Sequence, residues 1–112
     1  MTKREKMSPT QFDIVTICGS MRYWDQMLEE ARLATQQGYI VLMPFVAKYV
    51  GGVQPDDLKK MLDDMHFTKI SMSDYILVVG EHIGESTRNE INYAKEHNIP
   101  RVYTPAREVT DP

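Results

Sequence analysis

Four short stretches with strand character alternate along the chain with three longer stretches of helical periodicity. The strand-like stretches are Phe12 to Cys18, Tyr39 to Met43, Tyr75 to Val79 and Arg101 to Thr104. Tyr75 to Val79 lacks the alternating polar positions of a half-exposed strand, so we expect it to be covered on both faces. The alternating order predicts a parallel sheet with right-handed crossovers and helices on both faces. We therefore expect a small doubly wound α/β fold of the flavodoxin or Rossmann type, with strand order 2-1-3-4.

The first two helical stretches have clear apolar stripes. The first is predicted to stop at Gly38, and its stripe consists of Trp24, Met27, Leu28, Ala31 and Thr35. The second is predicted to run from Pro55 to about Ser73, with a stripe of Leu58, Met61, Leu62, Met65 and Met72. Phe67 falls on the opposite side, where a partner subunit would explain an exposed aromatic residue. The long loop 45–54 before this helix suggests a pocket wall or a lid.

The third helix is predicted to begin at Ser86 or Thr87, which are both good N-cap residues. Helical spacing puts Glu90 on the same inward face as Ala94 and Ile91. Two roles fit an inward carboxylate at this place. Thr87-Arg-Asn-Glu90 matches a capping box, and a carboxylate at the carboxyl edge of a sheet also suits ligand chemistry. Both roles remain open at this stage.

The strand order places the loops 19–22 and 80–87 in one crevice, at the point where the winding of the sheet reverses. Gly19, Ser20 and Arg22 have the composition of an anion site, because glycine allows close backbone approach, serine donates a hydrogen bond and arginine pairs with phosphate. Turn and N-cap roles explain Gly19 and Ser20 equally well, and a solvated helix position explains Arg22 equally well. The loop is neither a dinucleotide fingerprint nor a P-loop, so neither a dinucleotide cofactor nor ATP hydrolysis has motif support.

Length and charge narrow the range of possible functions further. The 112 residues predict one domain, residues 12–104, with tails at 1–11 and 105–112. A net charge of −3 with scattered basic residues argues against binding to nucleic acid, and no apolar run reaches the length of a membrane span. The single cysteine and the lack of a targeting pattern favour the cytoplasm. No His, Cys and carboxylate grouping has zinc spacing, so neither a metal nor another cofactor is expected.

The assembled residues resemble the nucleoside 2-deoxyribosyltransferase superfamily, and most closely its 2′-deoxynucleoside 5′-phosphate N-hydrolase branch. Four pieces carry the resemblance: Cys18-Gly-Ser-Met-Arg22 after the first strand, an apolar strand that ends before Val46-Ala47, Ser73-Asp74 before the third strand, and the stretch from Gly84 to Ala94. The similarity spans about Ile14 to Tyr103.

This resemblance implies a homodimer or higher homo-oligomer that cleaves the N-glycosidic bond of a small-molecule nucleoside or nucleotide. Glu90 matches the family's nucleophile, which forms a glycosyl-enzyme intermediate that water or another base resolves. Arg22 and Ser86 match positions that hold the 5′-phosphate, with Ser20 beside them, and Phe45 matches part of the base pocket.

Two positions depart from the family pattern. His66 stands where the family carries an aspartate, and histidine could supply the proton for the leaving base. Gly84 and Glu85 stand where transferases carry an acidic residue for the sugar, which makes Glu85 the candidate substitute. A non-catalytic nucleotide-binding module therefore remains the main alternative to an enzyme. A small interaction protein that uses its Met-rich helix is a weaker third possibility.

Overall fold

The computed structural model of the protein describes residues 12–45 and 55–102. Within them, four parallel strands form one sheet in the order β2-β1-β3-β4, which confirms the predicted fold class and strand order. The strands are β1 (Ile14–Gly19), β2 (Ile40–Leu42), β3 (Tyr75–Val79) and β4 (Arg101–Val102). The two predicted tails and the predicted lid segment 46–54 lie outside the described residues.

Three helices connect the strands. They are α1 (Trp24–Gln36), which follows a short 3₁₀ turn at Met21–Tyr23, α2 (Pro55–Ser71) and α3 (Glu85–Glu96). Helix α1 packs on one face of the sheet, where Met27 and Ala34 are buried with strand residues such as Ile17. Helices α2 and α3 cover the other face through Ile70 and Ala94. The two cores on opposite faces explain why the strands are apolar on both sides.

Side chains at the inner end of α2 anchor this helix to the sheet. Thr16 of β1 is hydrogen-bonded to Ser73, whose hydroxyl donates to the carbonyl oxygen of Lys69 at 2.8 Å. The Lys69 Nζ donates to the carbonyl oxygen of Met43 at 2.6 Å, and partial burial lowers the pKa of this amine. Asp74 has a structural role, because its carboxylate accepts a 2.8 Å hydrogen bond from the Ile14 N–H.

The buried face of α2 shares Leu58 with the predicted stripe but does not include the methionines of that stripe. Leu58 and Ile70 are buried as apolar contacts and His66 lies between them, whereas the methionines of the predicted stripe are exposed: Met61 at 41%, Met65 at 49% and Met72 at 57%. Leu58, His66 and Ile70 belong to one row of i+4 positions, and this row faces the sheet. Because His66 is polar, a search for apolar residues at helical spacing does not follow this row through to Ile70.

Phe67 also differs from its prediction. Its ring lies against the ring of Tyr93 in α3, with 4.9 Å between the centroids, and it is partly buried beside the core under α2 and α3. Contact between these two neighbouring helices therefore accounts for the aromatic side chain, and no partner subunit is needed to explain it.

In the two described ranges, no helix combines the length and the apolar character needed to cross a membrane.

Candidate active site

A cavity of about 400 Å³ opens at the carboxyl edge of the sheet, where the loops after β1 and β3 meet. It brings together every residue that the sequence predicted for the site: Gly19, Ser20, Arg22, Phe45, His66, Gly84, Glu85, Ser86, Thr87 and Glu90. Its lining also includes Met21, Pro44, Leu62, Asp63 and His82. The cavity lies at the reversal point of strand order 2-1-3-4, the usual ligand position in open α/β sheets.

Two glycines allow the loops to approach each other here. Gly19 has a φ of +146°, and a Cβ on it would collide with the carbonyl oxygen of Val79 in the neighbouring strand. Gly80 has a φ of +101°, and a Cβ on it would collide with the ring of Tyr23. The Tyr23 hydroxyl accepts a 3.0 Å hydrogen bond from the His82 N–H. Tyr23 therefore holds the loop after β3 against the loop after β1.

Helix α3 begins earlier than predicted. Gly84 is its N-cap, with an extended backbone (φ −82°, ψ −177°), and its carbonyl oxygen accepts a 2.9 Å hydrogen bond from the Arg88 N–H. Glu90 consequently lies in the second turn and not at the N3 position of a capping box. The capping explanation for Glu90 is thus wrong, because the extended glycine starts the helix before Ser86 and Thr87 can act as caps.

The Glu90 carboxylate is mostly buried and faces His66. The side chain of Glu90 is 17% exposed and that of His66 is 9% exposed, and 3.6 Å separates Glu90 Oε1 from His66 Nε2. This oxygen and both ring nitrogens of His66 are buried, and none of the three has a hydrogen-bond partner among the described residues. A buried polar group without a partner destabilises the folded state by about 1 to 3 kcal/mol. Such groups in a cavity wall are typical of functional sites.

Cys18 lies beneath this pair. Its side chain is fully buried at the end of β1. Its Sγ, a His66 ring nitrogen and a Glu90 carboxylate oxygen all lie within 4.8 Å of one another. Burial raises the pKa of the Cys18 thiol well above its usual range, and the neighbouring Glu90 carboxylate raises it further. The thiol is therefore protonated at neutral pH and is a poor nucleophile.

The sequence did not reveal this cluster. The three residues come from β1, α2 and α3 and have no common spacing along the chain. The i+4 row that contains Leu58, His66 and Ile70 was the available signal, because it would have aimed His66 at the sheet end that carries Cys18.

The opposite part of the cavity suits an anion. Gly84, Ser86 and Thr87 form the beginning of α3, and within the described chain no side chain caps this helix start. The free N–H groups of a first helical turn, together with the helix dipole, favour negative charge. Arg22 is the only lysine or arginine among the described lining residues, and it is exposed. Ser20 caps the 3₁₀ turn by accepting a 3.3 Å hydrogen bond from the Arg22 N–H.

Apolar side chains complete the wall of the cavity. Phe45 is 50% exposed and lies in the lining with Pro44, Met21 and Leu62. Two further carboxylates, Asp63 and Glu85, are also present, and Asp63 is paired with Lys59 at 2.8 Å. The site therefore combines a flat apolar surface, an anion-binding helix start and a buried carboxylate.

No model of a known protein family matches the chain, and no curated protein gave a significant sequence match. A functional assignment must therefore come from the residues and their geometry.

Proposed function

We propose that the protein cleaves or transfers the N-glycosidic bond of (deoxy)nucleosides or their 5′-monophosphates, with Glu90 as the nucleophile. One observation carries the proposal: the Glu90 carboxylate is held in the cavity wall with an oxygen that has no hydrogen-bond partner among the described residues. A capping role no longer explains this carboxylate, because α3 begins at Glu85. We also propose membership of the nucleoside 2-deoxyribosyltransferase superfamily, which the order of the resembling residues supports.

The proposed reaction is a double displacement. A Glu90 carboxylate oxygen attacks C1′ of the sugar, the C1′–N bond breaks, and its electron pair leaves with the nucleobase. Water, or the nitrogen of a second base, then attacks C1′ and releases Glu90. His66 contacts the same space as Glu90, so it is the candidate to protonate the departing base or to position the sugar. The reaction requires no cofactor.

The dimensions and lining of the cavity support a nucleotide-sized substrate. A volume of about 400 Å³ falls within the range of about 300 to 1,000 Å³ that is usual for small-molecule sites. Phe45 offers a face on which a base could stack. Arg22, Ser86 and the start of α3 would hold the 5′-phosphate.

A homodimer or higher homo-oligomer is also part of the proposal. Large apolar side chains remain exposed on α1, β2 and α2 and in the turn directly after α2: Leu28, Ile40, Met61, Met65 and Met72. Contact with a second copy would cover such groups. The free thiol of Cys18 suits a reducing compartment such as the cytoplasm.

A nucleotide-binding module without turnover is the second candidate. His66 in place of the family's aspartate favours it. A pure binder would be stabilised by nucleotide according to RT ln(1 + [L]/Kd) and would release no base.

Chromatography of released base tests the first proposal. Deoxy- and ribonucleosides and their 5′-monophosphates are incubated with the wild type, Glu90→Gln and the matched control Glu96→Gln, which changes an exposed carboxylate at the other end of α3. We expect release by the wild type and the control, and a loss of about three orders of magnitude or more in Glu90→Gln. Equal release by Glu90→Gln would exclude the nucleophile. No release by the wild type, with or without an acceptor base, combined with thermal stabilisation by nucleotide would select the binding module.

A further inference from the structure

We propose that Cys18, His66 and Glu90 form a binding site for one Zn²⁺-like cation directly beneath the cavity. The three donors come from β1, α2 and α3, and their ligand atoms all lie within 4.8 Å of one another. A thiolate, an imidazole and a carboxylate form a donor set of the kind that binds zinc, and the sulfur and nitrogen donors disfavour Mg²⁺ and Ca²⁺.

The geometry is close to that of a tetrahedral site. Bonds of about 2.0 to 2.3 Å to a tetrahedral zinc ion separate neighbouring donor atoms by roughly 3.3 to 3.7 Å. The 3.6 Å between His66 Nε2 and Glu90 Oε1 already has this length. The Cys18 Sγ lies within 4.8 Å of a His66 ring nitrogen and of a Glu90 carboxylate oxygen, so a shift of at most about 1 Å completes three corners.

An independent observation also points to a ligand. His66 is only 7% exposed, yet neither of its ring nitrogens has a hydrogen-bond partner in the described part of the chain, and the same is true of Glu90 Oε1. A cation between these atoms would satisfy one nitrogen and the oxygen together. Bound to a thiolate and a carboxylate, a divalent cation also forms a neutral centre, which lowers the penalty for burying charge.

Binding releases the thiol proton. The Cys18 S–H bond breaks, the sulfur electron pair goes to the cation, and the proton passes to solvent, so one proton leaves for each cation bound. His66 and Glu90 line the cavity, so the fourth position of the ion would face its interior. If Glu90 is the nucleophile proposed above, its oxygen is engaged by the ion and zinc inhibits base release. This inhibition rests on the proposed function, but the binding does not.

Two measurements on the full chain test the site. Calorimetric titration of chelator-treated protein with Zn²⁺ gives the stoichiometry and affinity, and titration with Co²⁺ gives the charge-transfer absorption of a cobalt–thiolate bond. Because the sequence contains only one cysteine, that absorption can come only from Cys18. We expect one Zn²⁺ per chain and a cobalt–thiolate band in the wild type.

Two variants of the proposed zinc-binding residues and one control variant test which side chains bind the ion. Cys18→Ser and His66→Gln should each bind Zn²⁺ about a hundredfold or more weakly, since even changes outside the ligand set lower affinity about 10- to 100-fold. His97→Gln, which changes an exposed histidine at the end of α3, should bind as the wild type does. Circular dichroism checks that each variant is folded, and the two ligand variants serve as alternatives if one does not fold.

Several results would overturn the proposal: no stoichiometric Zn²⁺ binding, no cobalt–thiolate band, or unchanged affinity in the folded Cys18→Ser or His66→Gln variant. A loss of binding in His82→Gln but not in His66→Gln would also overturn it, because His82 is the other histidine of the cavity.

Base release by metal-free protein is measured separately. Zinc binding without any base release would support the metal site and contradict the proposed enzymatic function. Base release without zinc binding would support the enzymatic function and contradict the metal site.

Discussion

His66 Nε2 and Glu90 Oε1 face each other at 3.6 Å, each buried and neither within hydrogen-bond distance of the other. Helix α2 supplies the histidine and α3 supplies the glutamate, so the packing of two helices on one face of the sheet sets this separation. Apolar residues at both positions would give a more stable core. The pair therefore has the character of a site in which stability is sacrificed for ligand chemistry.

Replacing His66 by leucine should separate stability from function. We expect the free energy of unfolding to rise by about 1 kcal/mol, because two buried nitrogens without partners among the described residues are removed. Base release should fall by about 10²- to 10⁴-fold, the usual contribution of an acid–base group. Urea denaturation and the chromatographic assay provide the two measurements.

His97→Leu is the matched control for this variant, because His97 is exposed and lies outside the cavity. It should leave base release unchanged. A His66→Leu variant that is less stable than the wild type would show that the imidazole has a stabilising partner.

The fold could be predicted from the sequence because its signals are local. The uninterrupted apolar strand Tyr75–Val79 and the alternation of strands and helices indicate a parallel sheet, and Gly38 marks the turn after α1 with a φ of +95°. The buried face of α2 could not be predicted in the same way. Its polar His66 interrupts the apolar row, and methionine counts as apolar although Met61 and Met65 are exposed.

The site was predicted in its position but not in its details. Strand order alone places the loops after β1 and β3 together, and the predicted site residues of these loops line the cavity. The role of Glu90 depended on where α3 begins, and an extended Gly84 can start a helix without any side-chain signal. The approach of Cys18 to His66 and Glu90 depends on packing between separate elements, which no sequence spacing records.

Replacing Arg22 by methionine should change substrate preference. Methionine keeps much of the apolar stem and removes the guanidinium, so the preference for a 5′-monophosphate over the corresponding nucleoside should fall about tenfold or more. The ratio of the two kcat/KM values measures this preference. Arg88→Met is the control, since Arg88 is exposed on α3 and is not part of the cavity lining. Equal losses on both substrates would mean that Arg22 does not contact the phosphate.

Replacing Gly80 by alanine should disturb the site through Tyr23. Gly80 has a φ of +101° and leaves no space for a Cβ beside the Tyr23 ring, so we expect a loss of about 2 kcal/mol or more in the free energy of unfolding. Gly38→Ala is the control, because Gly38 has a similar φ of +95° but its nearest contact to a Cβ, an atom of Phe12, would be 4.0 Å away. Denaturant melts compare the two variants.

The difference between these two glycine variants isolates the contact with Tyr23 from backbone strain. In a double-mutant cycle, Gly80→Ala should cost less stability in a Tyr23→Ala background than in the wild type, because the ring that the Cβ meets is then absent. Equal destabilisation by Gly80→Ala and Gly38→Ala would mean that the Tyr23 ring moves aside at little cost.

The Cys18 thiol should make the wild type sensitive to alkaline pH. Burial and the Glu90 carboxylate raise the pKa of the folded thiol, whereas the unfolded thiol ionises above about pH 8.5. Above that pH the unfolded chain therefore binds fewer protons than the folded one, and stability falls as pH rises, by at most about 1.4 kcal/mol per pH unit. The lowered pKa of Lys69 acts in the opposite direction, but it is common to the wild type and Cys18→Ala and cancels in their difference.

Urea denaturation at pH 8 and pH 10 should therefore show a larger loss of stability in the wild type than in Cys18→Ala. Equal losses would mean that the folded thiol ionises as readily as the unfolded one and that Glu90 does not hold it protonated.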